Sequence, residues 1–291
     1  INIKNIIHFE ISQKRKIKYM YKGEIKKILN STRRKMVILF LILISLLDIL
    51  MVYYRPLKEY IDYKEKYVNG IDWSYFSHPC YAGFLNGHSI GHIAQAIYVW
   101  LLPLVILLLY SDLYIHERKN GMNLVYRSKI GSKKFLAKKI KCSFLLSALL
   151  AFSTITINFI VIMIFFRKGT DMRGAEQLVG YGAEPFFEWQ FYHPYLTYLV
   201  FSLLFVVLVG ACGAMTQALA ILIKDIKGTY MISFMIWIFQ FALGEDNLSV
   251  AMQPFTEATP KQIIIAFCRQ LIISIVCVII VVYRGRKYEE I

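Results

Sequence analysis

The sequence is short of acidic residues, of proline and of paired cysteines. Its 291 residues hold 19 Asp and Glu against 34 Lys and Arg, and charged residues of both signs make up only 18%. A soluble domain averages roughly 25% charged and 45–50% apolar residues. Here hydrophobic residues reach 57%. That balance excludes a disordered chain, which needs low hydrophobicity and abundant charge, and argues against an ordinary cytosolic enzyme. There are seven prolines. The five cysteines, Cys80, Cys142, Cys212, Cys268 and Cys277, are odd in number, scattered, and form no C-x-x-C pair. Neither a disulfide framework nor a zinc knuckle follows from them. A G-x-x-x-x-G-K-[ST] phosphate loop is also missing, because Gly131-Ser132-Lys133 lacks the preceding glycine. ATP hydrolysis by that machinery must therefore come from another polypeptide.

What is present is a chain both apolar and basic, with a net charge of +15. The two properties coexist only when segregated, as in a multi-span membrane protein with basic loops. Excess positive charge commonly marks a nucleic-acid binder. Here the basic residues alternate with apolar runs that nucleic acid would never meet, so no nucleic-acid partner is expected.

A membrane-crossing helix takes ~20 mostly apolar residues. Six candidate spans follow: 36–54, 93–110, 142–166, 195–223, 229–243 and 262–283. The fourth is long and must tilt or extend past the lipid. The fifth is short, and the stretch Gly244 to Lys261 after it is expected to dip back as a re-entrant element. Alternate flanking segments carry 25 Lys and Arg on one side and 8 on the other. The positive-inside rule then puts both termini in the cytoplasm. The fold class is an all-α integral membrane protein, with 1–35 a basic N-terminal segment and 36–291 a six-span domain. The first span starts too far into the chain to read as a cleaved signal peptide.

Two cytoplasmic elements stand out. Before the first span, Ile17, Met20, Tyr21, Ile25, Ile28 and Leu29 recur at helical spacing, with Lys14, Lys18, Lys22, Lys26 and Lys27 on other faces. This predicts a helix lying in the membrane interface, lysines toward anionic headgroups; a solvated basic tail is the alternative. Between spans two and three, Glu117 to Lys139 mixes apolar residues (Met122, Leu124, Val125, Ile130, Phe135, Leu136) with many charges. That pattern predicts a helix that docks on something, beyond simple charge anchoring.

In this order of parts the chain resembles the membrane subunits (permeases) of type 2 ABC transporters. Gly23-Glu24-Ile25-Lys26-Lys27-Ile28-Leu29 leads into span one. Span two ends in Glu117, with Gly121 four residues on. A short helix, Arg127-Ser128, Gly131 and a Lys near span three (Lys138 or Lys139) follow. The family's P-x-S-R-like step is replaced by Tyr126-Arg127-Ser128-Lys129, without Pro. The resemblance implies that Glu117, Gly121, Leu124, Arg127, Ser128, Gly131 and Lys138 form an ATPase-coupling segment. It would sit in a groove of a separate cytoplasmic ATP-binding subunit, which would hold ATP and Mg. It also implies a second permease subunit, identical or paralogous, and a bacterial plasma-membrane location. This chain would then be an export subunit with no cofactor and no catalysis of its own. The rival reading is a secondary transporter or a membrane sensor, for which inverted repeats and more midplane ionisable residues would be expected.

Other features call for weighing. Gly87-His88-Ser89-Ile90-Gly91 matches G-x-S-x-G, but that nucleophile elbow needs an α/β sheet, and segment 55–92 is too short to build one. His88 and His92, four apart, would share a helix face and with His78 could hold a metal, although a polar aromatic loop accounts for them equally. Asp48 in span one and Arg269 in span six are intramembrane charges, which usually face the bundle interior and pair. Counting 1.5 Å per residue puts them ~9 and ~10 Å below the outer boundary, so the two are expected to meet. Gly210 and Ala214 form a small-x-x-x-small pair suited to close helix approach, and Pro103 is expected to kink span two.

Overall fold

Long apolar runs in a hydrocarbon environment must satisfy every peptide group within the segment, and a helix does so. A computed structural model, described over residues 23–24, 26–62, 76–86, 93–172 and 184–287, is accordingly all-α in its elements. A helical turn at 26–29 leads into α1 (Thr32–Asp62). Next come α2 (Ile93–Ile106), a π-helical turn (Leu107–Ser111) and α3 (Asp112–Lys119), which run as one rod. α4 (Met122–Ile130) is short and α5 (Ser132–Phe165) long; α6 (Pro185–Tyr192) precedes α7 (Pro194–Ile223). α8 (Ile226–Phe239) ends in three 3-10 turns, Gln240–Ala242, Gly244–Asp246 and Leu248–Ala251, before α9 (Pro260–Lys287).

Five of these are long and apolar enough to cross a membrane: Thr32–Tyr54, Ile93–Lys119, Ser132–Phe165, Pro194–Ile223 and Pro260–Arg284. The fifth predicted span is a shorter apolar helix, Ile226–Ala242. The helices outrun the apolar stretches because an established helix adds one hydrogen bond per residue whatever the side chain. Pro103 lies inside α2, and the π turn follows one helical turn later. The stretch Gly244 to Lys261 folds back onto the bundle, with Leu248, Ala251, Met252 and Phe255 in the main apolar core.

α7 is the central helix. It packs along α5 and α9 and touches α2, α3 and α8. In the most apolar stretches, 61% of the α2–α3 rod and of α7 is buried, against 22% for α9. The α5–α7 crossing is set by small residues. A Cβ on Gly213 would fall 2.8 Å from the Ser143 carbonyl oxygen, and one on Gly210 would meet the Phe144 ring at 2.9 Å. The Ser143 hydroxyl donates to the Gly213 carbonyl at 2.7 Å. Close approach at Gly210 is as predicted, but Gly213 supplies the tighter contact.

Chain order puts segments 76–86, 166–172 and 240–259 at one end of the bundle and 26–29, 119–131 and 224–225 at the other. At the first end Ser77 bridges Asp171: the His78 N–H donates to the Asp171 carbonyl (2.8 Å) and the Asp171 N–H to the Phe76 carbonyl (3.0 Å). Gly169 makes this possible, because a Cβ there would collide with the Ser77 carbonyl oxygen. Gly169→Ala should therefore open the bridge and speed proteolysis between 76 and 86. An unchanged digestion pattern would contradict that role.

Candidate functional site

The features with chemical potential converge at the second end. Gly121 (φ +72°) and Gly131 (φ +82°) bracket α4. Both occupy left-handed backbone that only glycine adopts without strain, so the chain turns sharply at each end of this helix. One face of α4 is pinned. Asn123 donates to the Tyr114 carbonyl (3.1 Å) and Arg127 to the Tyr114 hydroxyl (2.9 Å), while the Tyr126 ring stacks on Phe135 at 6.1 Å. The opposite face is open and apolar: Leu124 is 70% and Val125 53% exposed, with Met122 beside them. Ser128 is exposed and caps back to the Val125 carbonyl (2.9 Å).

Behind α4 lies a buried cluster of two carboxylates and two ammonium groups. Lys139, in the second turn of α5, reaches Glu117 Oε2 at 2.7 Å and Glu24 Oε1 at 3.1 Å. Lys27 reaches Glu117 Oε1 at 2.6 Å and Glu24 Oε1 at 3.4 Å. Glu24, Glu117 and Lys139 are all buried. The Lys139 ammonium also lies 5.5 Å from the centroid of Tyr110 and 5.8 Å from that of Phe135, and Lys27 lies 5.3 Å from Tyr126. Removing these charges from water is costly, and only mutual pairing with good geometry offsets that.

Burial works against the Lys27 charge, but its bond to Glu117 and the carboxylates of Glu24 and Glu117 outweigh this and raise its pKa. Stabilisation of this sign is fully present at neutral pH. It is lost only as pH climbs through the raised value, so Lys27 keeps its charge at neutral pH. A second tie lies alongside: Asp112, also buried, meets Arg33 at 3.3 Å and Arg34 at 3.8 Å. Together the two ties bolt the N-terminal turn, the start of α1, the end of α3 and the start of α5 around α4.

The chain is 35% identical over 213 residues to the "Uncharacterized protein YybM" of Bacillus subtilis (strain 168), a match spanning 73% of this chain and 84% of that protein. It belongs to the YybM family. No family model matches the chain. No solved structure matches it either.

The residues expected at the site divide in this YybM-family member as follows. Glu117, Gly121, Leu124, Arg127, Ser128 and Gly131 lie on or beside α4. Of the two candidate lysines, Lys139 makes the pairs with Glu117 and Glu24, and Lys138 is buried within electrostatic reach of Glu24 and Cys142. Helical spacing and charge place Glu24 and Lys27 in an interfacial helix and give no sign that they join Glu117 and Lys139. The available signal was two acids facing two lysines across three segments, which linear spacing does not reveal. Ile28 was expected on a lipid-facing side; it is buried against Leu109, Tyr110 and Cys142. Ile17, Tyr21 and Ile25 lie outside the described residues.

Asp48 and Arg269 do not form an ion pair among the described residues. Arg269 donates from Nη2 to the Asp246 carbonyl at 2.7 Å. Asp48 is fully buried on α1, within electrostatic reach of Tyr198. α1 packs on α2 and α5 whereas α9 packs on α7, α5 and the 3-10 turns. Depth sets height in a bundle, not angular position. His78 accepts the Cys80 N–H at Nδ1 (3.3 Å) and its ring meets Tyr195, with burial lowering its pKa. Among the described residues no three His, Cys, Asp or Glu are grouped to hold a metal; His88, His92 and the G-x-S-x-G serine lie outside them.

Proposed function

We propose that the protein is the membrane-spanning permease subunit of an ABC exporter in the bacterial plasma membrane. The observation that carries this reading is α4: a short cationic helix with an open apolar face, turned by two left-handed glycines and bolted from behind by buried ion pairs. Contiguous exposed apolar surface flanked by charge is a docking feature. Its occupant on this reading is a separate cytoplasmic ATP-binding subunit, which binds ATP and Mg and pushes on α4 as it closes. The ion cluster passes that push to α1, α3 and α5 as one rigid block. Two permease subunits pair to enclose the pathway. On this reading the chain has six spans, Ile226–Ala242 serving as the short fifth, with both termini cytoplasmic. The N-terminal basic segment lies along the inner interface, and Gly244 to Lys261 is the re-entrant outer element. A secondary transporter or sensor is the alternative, but neither accounts for an open apolar helix so firmly held.

Leu124→Asp tests this directly, because Leu124 is exposed and its loss should not disturb folding. Co-purification of an ATPase with the tagged wild-type chain, and its loss with Leu124→Asp, is the expected result. Transport in proteoliposomes by this chain alone, powered by an ion gradient, would overturn the assignment.

A further inference from the structure

At the end of the bundle opposite α4, the stretch between the last 3-10 turn and α9 packs into the main apolar core. Met252 and Phe255 are buried there. Both ends of the stretch carry their own caps. The Met252 and Gln253 N–H groups donate to the Ser249 carbonyl at 2.9 and 3.0 Å. At the other end the Thr259 N–H donates to Gln262 Oε1 (2.8 Å) and the Gln262 N–H returns to Thr259 Oγ1 (3.3 Å). Among the described residues, the hydrogen bonds that reach the middle of the stretch from another element come from Gln190. This fully buried side chain on α6 accepts the Phe255 N–H at Oε1 (2.7 Å) and donates from Nε2 to the Thr256 carbonyl (3.2 Å). The Gln190 carbonyl in turn accepts the Thr197 hydroxyl at 3.2 Å, which fixes the residue at the α6–α7 corner.

Phe255 is held at φ +60°, a backbone region that a bulky residue rarely enters. Such strain persists only where the surroundings over-determine it, and it clusters at moving parts. The Phe255 ring rests on Tyr81 and Phe191, with centroids 5.6 Å away in each case. Next to Tyr81, Cys80 is fully buried, and burial pushes its thiol up to about 12.

We propose that residues 252–257 form a movable strap over this end of the bundle, latched shut by the Gln190 carboxamide. A gate needs two states close in energy. A plug of unstrained backbone tied by many bonds would have only one. Here a strained residue, seated by its buried ring, is tied through its backbone to a single side chain of another element, with capped turns on either side to act as hinges. Release lets Phe255 return to ordinary backbone angles and lifts its ring from Tyr81, admitting water to Cys80. The strap goes beyond the ABC reading and operates whichever energy source drives the protein.

The test uses the full chain with Cys142, Cys268 and Cys277 replaced by Ser and Cys80 and Cys212 retained, reacted with a charged, membrane-impermeant maleimide. Cys212 is fully buried in α7 and reports global unfolding. Gln190→Ala should raise the labelling rate at Cys80 by roughly tenfold or more, since an exposed thiol regains thiolate character, while Cys212 stays protected. Unchanged Cys80 labelling overturns the proposal. If Gln190→Ala also exposes Cys212, Gln190→Glu decides, because it keeps the volume and the acceptor for the Phe255 N–H. A smaller rise confined to Cys80 is then expected, and no rise would rule the latch out.

Discussion

Glu117→Ala should destabilise the protein by about 3–5 kcal/mol, the range for removing one partner of a buried ion pair. Glu117 accepts from both Lys139 and Lys27, at 2.7 and 2.6 Å. Without it, two ammonium groups share Glu24 alone, and Lys139 has almost no access to water. The loss should appear as a lower thermal midpoint and a shorter half-life in detergent. Glu117→Lys should be worse, placing a third cation among the first two. Combining it with Lys139→Glu restores the charge count and should recover much of the loss. A double variant no more stable than either single one would show that packing, not charge pairing, holds this end together. A Glu117→Ala protein with wild-type stability would remove the cluster from the account altogether.

Gly213→Leu should cause the second large effect, at the centre of the bundle. Even the first added carbon meets the Ser147 side chain and, 2.8 Å away, the Ser143 carbonyl oxygen. A backbone carbonyl inside a helix cannot swing aside, so α5 and α7 must separate and the Ser143 bond to the Gly213 carbonyl must break. Overpacking of a well-filled core costs typically 1–3 kcal/mol, and a leucine at a helix crossing belongs at or above the upper end of that range. Gly210→Ala is the control. Its added carbon meets the Phe144 ring, a side chain able to rotate away, so its effect should be smaller. Yield of monodisperse protein and thermal midpoint measure both. Equal losses for Gly210→Ala and Gly213→Ala would contradict the distinction between yielding and unyielding neighbours.

The site around α4 was partly legible in the sequence. Glu117, Gly121 and Gly131 were singled out by the resemblance to type 2 permeases, and the structure gives the reason for the two glycines, each of which has a positive φ. Lys138 and Lys139 could not be told apart, because adjacent helical residues point about 100° apart and the phase of α5 is set by its packing on α7. Glu24 and Lys27 were hidden among eleven basic residues in the first 35, where charge reads as anchoring. The Gln190 carboxamide left no trace in the sequence, since its partners are the peptide groups of Phe255 and Thr256 and carry no residue signature.

Read alone, the amino-acid order determined that long apolar helices dominate, where the apolar stretch of each lies though not how far the helix runs past it, and that positive charge concentrates on alternate connections. These properties follow from length, hydropathy and local backbone chemistry, which act over one or two helical turns. Tertiary structure decided which helix is central, that Gly213 rather than Ala214 meets Ser143, that Lys139 joins Glu24 across 115 positions, and that Asp48 and Arg269 stay apart. Those outcomes depend on rotation of each helix about its own axis and on its neighbours. Both emerge from packing every face of the bundle at once, and no short stretch of sequence carries them.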